Sequence, residues 1–170
     1  MKDESKPPKK ILVLGPCKSG KTAISNYLGE QVDIESLGEY RPTKGVRIVE
    51  FESHELDIRR QRIEVDVELW DCSGDLKYRD CWPAIRDGIE GVILVANPDE
   101  NTGEDLKIWY DEFIASSNLD AENVLIVLNE MGEKRTNDTA ISGFRHVFEL
   151  REQRECYPHN CLQQSVQLVI

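Results

Sequence analysis

The sequence predicts an α/β doubly wound fold on a mostly parallel sheet. Three observations predict it. "KILVLG" (residues 10–15), "GVILVAN" (91–97) and "NVLIVLN" (123–129) are short, continuously apolar runs, as strands buried on both faces are. Stretches with helical periodicity alternate with strands. The first apolar run ends in a glycine loop that opens a helix.

The elements follow in order. "MKDESKPPKK" is polar and Pro-bearing, a loose tail covering residues 1–8 before one domain from 9 to 170. "KTAISNYLGE" reads as a helix stopped by Gly29. Residues 30–44 are polar and irregular. "GVRIVEF" and "RIEVDVELW" read as two strands separated by a charged loop. In the second, Ile63, Val65, Val67 and Leu69 alternate with Glu64, Asp66 and Glu68, which buries one face and wets the other. In "TGEDLKIWYDEFIASS", Leu106, Trp109, Tyr110, Phe113 and Ile114 form one helical stripe. Thr102 is its N-cap, with Asp105 three residues on. "TAISGFRHVFELREQ" reads as a further helix with Ile141, Phe144 and Phe148 inward, and "SVQLVI" as a last strand.

Composition narrows the partners. Lys+Arg number 21 against Asp+Glu 32, a net charge of −11. That surface repels nucleic acid and anionic lipid. No apolar run reaches membrane-spanning length, and neither end offers a lipidation signal, so no direct membrane anchor is expected. Cys17, Cys72, Cys81, Cys156 and Cys161 show no disulfide-frame spacing and read as reduced thiols of an intracellular protein. "CYPHNC" brings Cys156, His159 and Cys161 together but lacks a fourth zinc ligand.

"GPCKSGKT", residues 15–22, matches the phosphate-binding pattern G-x-x-x-x-G-K-[ST], and it sits between a strand and a helix as the chemistry requires. The candidate phosphate contacts are Gly15, Pro16, Cys17, Lys18, Ser19, Gly20, Lys21, Thr22 and Ala23. Backbone N–H groups and the positive helix end surround an anion there. Lys21 would reach the terminal phosphates and the Thr22 hydroxyl would ligate Mg²⁺. "YRPTKG" (40–45) precedes the next strand, and "WDCSG" closes the one after it with Asp71 and Gly74 in a D-x-x-G pattern.

Together, in this order, these three motifs resemble the Ras-like small GTPases. The resemblance implies a G domain with a six-stranded, mostly parallel sheet that binds GTP or GDP with Mg²⁺. It implies that Thr43 completes the metal coordination and senses the γ-phosphate. Asp71 would hold a metal-bound water, and the Gly74 N–H would meet the γ-phosphate. The longer stretches "YRPTKGVRIVEFE" and "ELWDCSGDLKYRDCWPA" resemble the Rab-like small GTPase subunits of intraflagellar transport complex B. That resemblance spans roughly residues 9–97, and Cys72, Cys81, Trp82 and Pro83 are its most specific positions. It implies coiled-coil subunits of that complex as partners. It also implies a place in the cytoplasm and in the cilium or flagellum, with the basal body region. Cys72, Cys81 and Trp82 read either as core packing or as part of a partner surface.

Four departures mark the chain as an atypical member. Asp75 stands where Ras-like enzymes carry the glutamine that orients the attacking water. A carboxylate adds negative charge there and cannot donate a hydrogen bond while ionised, so hydrolysis should be very slow and no catalytic residue is assigned. The alternative leaves Asp75 as a solvent-facing turn residue, with the glutamine still missing. Cys17 and Lys18 fill positions often occupied by glycine, and Lys18 is either solvated or a phosphate or partner contact. The guanine-reading N-K-x-D appears as Asn129-Glu130-Met131-Gly132. Losing the aspartate removes two hydrogen bonds of about 1.5–3 kcal/mol each, which would weaken binding by roughly a hundredfold and relax base choice unless Glu133 substitutes. The last helix of the family fold is apparently absent after "SVQLVI". Four functions compete: a nucleotide-dependent adaptor with negligible turnover, an activator-driven switch in vesicle or ciliary trafficking, a nucleotide-free scaffold, and a small-molecule kinase. The lack of an arginine-rich lid argues against the kinase.

Overall fold

The structure, a computed structural model, describes residues 6–30, 40–58, 61–117 and 119–129. The helix expected at 139–153, the strand "SVQLVI", the question of a last helix, and residues 130–133 all lie outside the described residues, as does "CYPHNC".

Five strands form one sheet in the order β2-β3-β1-β4-β5. They are β1 (Lys9–Leu14), β2 (Val46–Ile58), β3 (Gln61–Cys72), β4 (Gly91–Ala96) and β5 (Val124–Leu128). All neighbours pair in parallel except β2 with β3. β1 and β4 lie in the centre, and Leu12, Leu14, Leu94, Val95 and Ala96 are wholly buried. Their continuous apolar runs reflect burial on both sheet faces.

The hairpin is longer than the sequence suggests. The charged stretch expected as a loop continues both strands, with Leu56 paired to Ile63 and Ile58 to Gln61 past a register shift between Ser53 and Leu56. Backbone pairing needs no apolar side chains, so a charged arm gives no strand signal in hydropathy. Nearer the sheet, Glu50 stands directly opposite Glu68, and Glu52 opposite Asp66, on the wet face. The opposite face carries Val49, Val67 and Leu69 into an aliphatic core with Val13, Ile93, Val95 and Val127.

Helix α1 (Lys21–Leu28) follows β1. Gly29, at its end, allows the hairpin to approach: a Cβ there would lie 2.4 Å from the Val49 Cγ1. A 3₁₀ helix (Leu76–Cys81) runs into the short helix α2 (Trp82–Arg86). Helix α3 (Gly103–Tyr110) then begins with a full capping box, Thr102 and Asp105 bonding each other's backbone N–H. It continues as a π turn (Asp111–Ala115) rather than as α-helix. Leu106, Trp109, Tyr110, Phe113 and Ile114 are all buried, as their spacing predicts.

The second core is aromatic. The Trp82 ring lies 4.7 Å from Trp109 and 5.2 Å from Phe113 between centroids. Trp82 is only 4% exposed, and Cys72 2%. Core packing therefore accounts for both, and the reading of Trp82 as a partner contact is corrected. Cys81 and Pro83 remain at the surface.

Candidate functional site

The site lies where β1 and β3 end at the carboxyl edge of the sheet, the usual place for a ligand in open α/β folds. From Leu14 the chain turns through residues 15–20 into α1. Gly15 has φ 142°, and a Cβ there would sit 2.0 Å from the Val95 carbonyl oxygen. Only glycine fits a turn pressed this closely onto β4. Gly20, at φ 90°, precedes α1, which has no side-chain cap. The first N–H groups of α1 are thus not taken by a cap, as an anion site requires.

Lys21 is buried within this loop. Its Nζ donates to the Pro16 carbonyl at 2.6 Å and to the Ser19 Oγ at 3.4 Å. Burial pushes its pKa down, against the attraction of Asp71 and the cysteines Cys17 and Cys72. A phosphate beside it would restore the lost stabilisation of the charge. Ser19 is wholly buried. Its carbonyl accepts from the Asn129 Nδ2 at 3.1 Å, while the Asn129 N–H donates to the Ala96 carbonyl at 2.8 Å. Asn129 therefore ties the end of β5 to the loop. Cys17, Lys18 and Ala23 are exposed, Pro16 half-buried.

Three elements converge on Asp71. The Thr22 hydroxyl, from α1, donates to the Asp71 Oδ2 at 2.8 Å. The Thr43 hydroxyl, from the segment before β2, donates to the same oxygen at 3.3 Å, and the two hydroxyls are 3.0 Å apart. Asp71 is wholly buried, and its Oδ1 has no partner. Burial pushes its pKa up; the Thr22 bond, Arg47, Lys21 and the Thr43 bond pull it back. An orphaned buried carboxylate oxygen beside two hydroxyls is an all-oxygen donor set. It fits Mg²⁺, which binds through one or two carboxylates plus phosphates rather than in an all-protein cage.

Gly74 closes the site from the other side. A Cβ on it would lie 2.4 Å from the Cys17 N and 2.5 Å from the Pro16 carbonyl carbon. Its backbone therefore rests on the phosphate loop itself. The next residue behaves differently. The Asp75 Oδ1 accepts from the Lys77 N–H at 3.0 Å as the N-cap of the 3₁₀ helix, and its Oδ2 pairs with the Lys77 Nζ at 2.7 Å. These Lys77 bonds hold its pKa below the ordinary value. Asp75 is thus a partly exposed turn residue engaged in capping.

Two residues had no role in the sequence reading. Tyr40, 57% exposed, brings its hydroxyl to the Lys18 backbone and the Cys17 thiol. Burial of that hydroxyl pushes its pKa up. Its position three residues before Thr43 was the available signal. Arg47 pairs with Asp71 at 3.6 Å. Its only signal was a cation inside a strand, and the strand pairing needed to interpret it is not local.

The sequence and fold resemble those of known proteins. Residues 10–132 match the family described as Roc, "Ras of Complex, Roc, domain of DAPkinase". The chain belongs to this Ras-like small GTPase family, and within it to the group named intraflagellar transport protein 22. It is 43% identical over 87% of its length to "Intraflagellar transport associated protein 2" of Caenorhabditis elegans, covering 70% of that protein. It is 47% identical over 65% of its length to "Intraflagellar transport protein 22 homolog" of Danio rerio, spanning 59% of that relative. Two solved structures from T. brucei resemble it. IFT22/74/81 bound to GTP gives a TM-score of 0.58 at 28% identity, covering 88% of this chain and 95% of that one. IFT22 bound to GDP gives a TM-score of 0.56 at 31% identity, covering 80% and 74%.

Proposed function

We propose that this chain is a GTP-binding, Mg²⁺-dependent adaptor of intraflagellar transport complex B, with one G domain over residues 9–170. The observation that carries this reading is the convergence of the Thr22 and Thr43 hydroxyls, from two separate elements, on one oxygen of the buried Asp71 at the end of a third. In this reading residues 15–23 with Lys21 hold the phosphates, and Thr22, Thr43 and Asp71 hold the metal, Asp71 through a water. Bound there, Mg²⁺ would neutralise charge on the terminal phosphates. The Gly74 N–H would meet the γ-phosphate, and Asn129 would stand near the base. Thr43 and Gly74 belong to the segments on either side of the β2–β3 hairpin, so a γ-phosphate would order both and complete a docking surface.

Slow turnover follows from the position of Asp75. Its carboxylate is engaged with Lys77, and while ionised it cannot donate the hydrogen bond that would orient a water. The relatives crystallised as GTP-bound and GDP-bound IFT22, the first with IFT74 and IFT81, support the same assignment of ligand and partner to this chain. Its partners would be the coiled-coil subunits of that complex, and its place the cytoplasm, the cilium or flagellum and the basal body region. Among the described residues no helix is long and apolar enough to cross a membrane.

Two measurements test this. Purified protein is denatured and the released nucleotide identified by ion-exchange chromatography. Guanine nucleotide is expected, with GTP predominating. ATP, or no nucleotide, would overturn the assignment. The partner subunits are then titrated against protein loaded with a non-hydrolysable GTP analogue or with GDP. Tighter binding of the GTP form is expected, and equal affinities would leave a nucleotide-independent scaffold.

A further inference from the structure

Asp71 poses an electrostatic problem that the phosphate loop solves only in part: Lys21 attracts it from a distance, but its Nζ bonds the Pro16 carbonyl and the Ser19 hydroxyl instead. It is wholly buried, and burying a carboxylate is costly unless a cation or several donors face it. Thr22 and Thr43 supply one hydroxyl each, both to Oδ2. When no divalent ion is bound, a cation from the protein must offset the charge or the site relaxes.

Arg47 occupies the position to do this. In the hairpin it is the residue directly opposite Asp71. Cross-strand partners project on the same face of a sheet, so the backbone itself sets the pair. Its Nη2 lies 3.6 Å from the Asp71 Oδ2 and donates to the Asn26 Oδ1, on α1, at 2.6 Å. The Arg47 Nε is buried without a partner, as is the Asp71 Oδ1. One guanidinium thus links α1, β2 and the metal-facing end of β3.

The geometry points to Arg47 as a built-in counter-cation of the metal site, which holds Asp71, Thr22 and Thr43 together when the divalent ion is absent and so makes nucleotide retention weakly dependent on metal. Arg47 is a positioning residue: it acts through Asp71. This inference rests on the nucleotide-binding reading above. It adds to it that loss of metal would not by itself open the site.

The test uses the full chain loaded with a fluorescent guanine nucleotide and chased with excess unlabelled nucleotide. Release is followed with Mg²⁺ present and after chelation. The readout is the ratio of the two release rates, which a merely structural change would leave alone because it would speed both. Wild-type protein should give a small ratio. Arg47→Gln keeps a side chain able to bond Asn26 but removes the charge, and should raise the ratio by about tenfold or more, mainly through the chelated arm. Arg47→Lys keeps the charge and should stay near wild type, so the pair remains informative if either variant folds poorly. Equal ratios in wild type and Arg47→Gln would overturn the assignment, as would Arg47→Lys behaving like Arg47→Gln. Wild-type protein that retains no guanine nucleotide would instead overturn the underlying reading.

Discussion

The strand end at Asp71 and the turn at Asp75 lie four residues apart and use the same side chain in opposite ways. Asp71 is wholly buried and contacted from α1, from the segment before β2 and from β2 itself. Asp75 is 41% exposed and, among the described residues, bonds within its own turn, to Ser73 through its N–H and to Lys77 through its carboxylate. Distant elements converge on the buried charge, whereas the exposed one makes the local bonds of a helix cap. The sequence motif already gives the two carboxylates different places, and the fold gives them different surroundings.

The largest expected effect comes from neutralising the buried member. Asp71→Asn should weaken Mg²⁺ affinity by about 10–100-fold, the cost typical of groups that orient a metal's immediate ligands. Isothermal calorimetry with Mg²⁺ checks this, and an unchanged Mg²⁺ affinity would remove Asp71 from the metal site.

Gly74→Ala comes next. Its Cβ would meet loop backbone at 2.4 Å, so either the turn or the phosphate loop must move. Preference for GTP over GDP should fall by about tenfold, the equivalent of one charge-assisted hydrogen bond. Competition binding measures this, and an unchanged ratio would remove Gly74 as the γ-phosphate sensor. Asp75→Ala should change far less. It should lower the melting temperature slightly through loss of the cap and leave single-turnover hydrolysis unchanged. Faster hydrolysis in Asp75→Ala would show that the carboxylate itself suppresses turnover.

The smallest effect is in acid titration of the nucleotide-free protein. Asp71, raised by burial, gains stability as pH falls through its folded value. Asp75, lowered by Lys77, contributes stability above its unfolded value and loses it as pH falls through the folded one. Carboxyl NMR should therefore show Asp71 titrating above the ordinary aspartate range and Asp75 below it. The reverse order would refute the contrast.

What was legible in the sequence was local. Gly15 to Thr22 encode a chain of backbone requirements, so the loop could be placed from residue types alone. The stripe from Leu106 to Ile114 identified its buried face, though such spacing cannot distinguish an α turn from the π turn that follows Tyr110. What was missed depended on pairing. Arg47 matters because β2 lies antiparallel to β3 in one register, and nothing near it in sequence reports that register. The charged hairpin arm was read as loop because its strands are held by backbone bonds. Trp82 was ambiguous because a tryptophan serves equally well as core or as interface; its rings against Trp109 and Phe113 decide the matter.

That aromatic contact has an optical consequence. The chain has three tryptophans, at 70, 82 and 109. Trp82 stands on the helix that follows Gly74 and Asp75, and Trp109 on α3. At 4.7 Å their transitions couple, so the pair is an internal ruler between a segment expected to move and one expected to stay. Near-ultraviolet circular dichroism and quenching of the native fluorescence would then follow rearrangement of this turn in the unlabelled molecule.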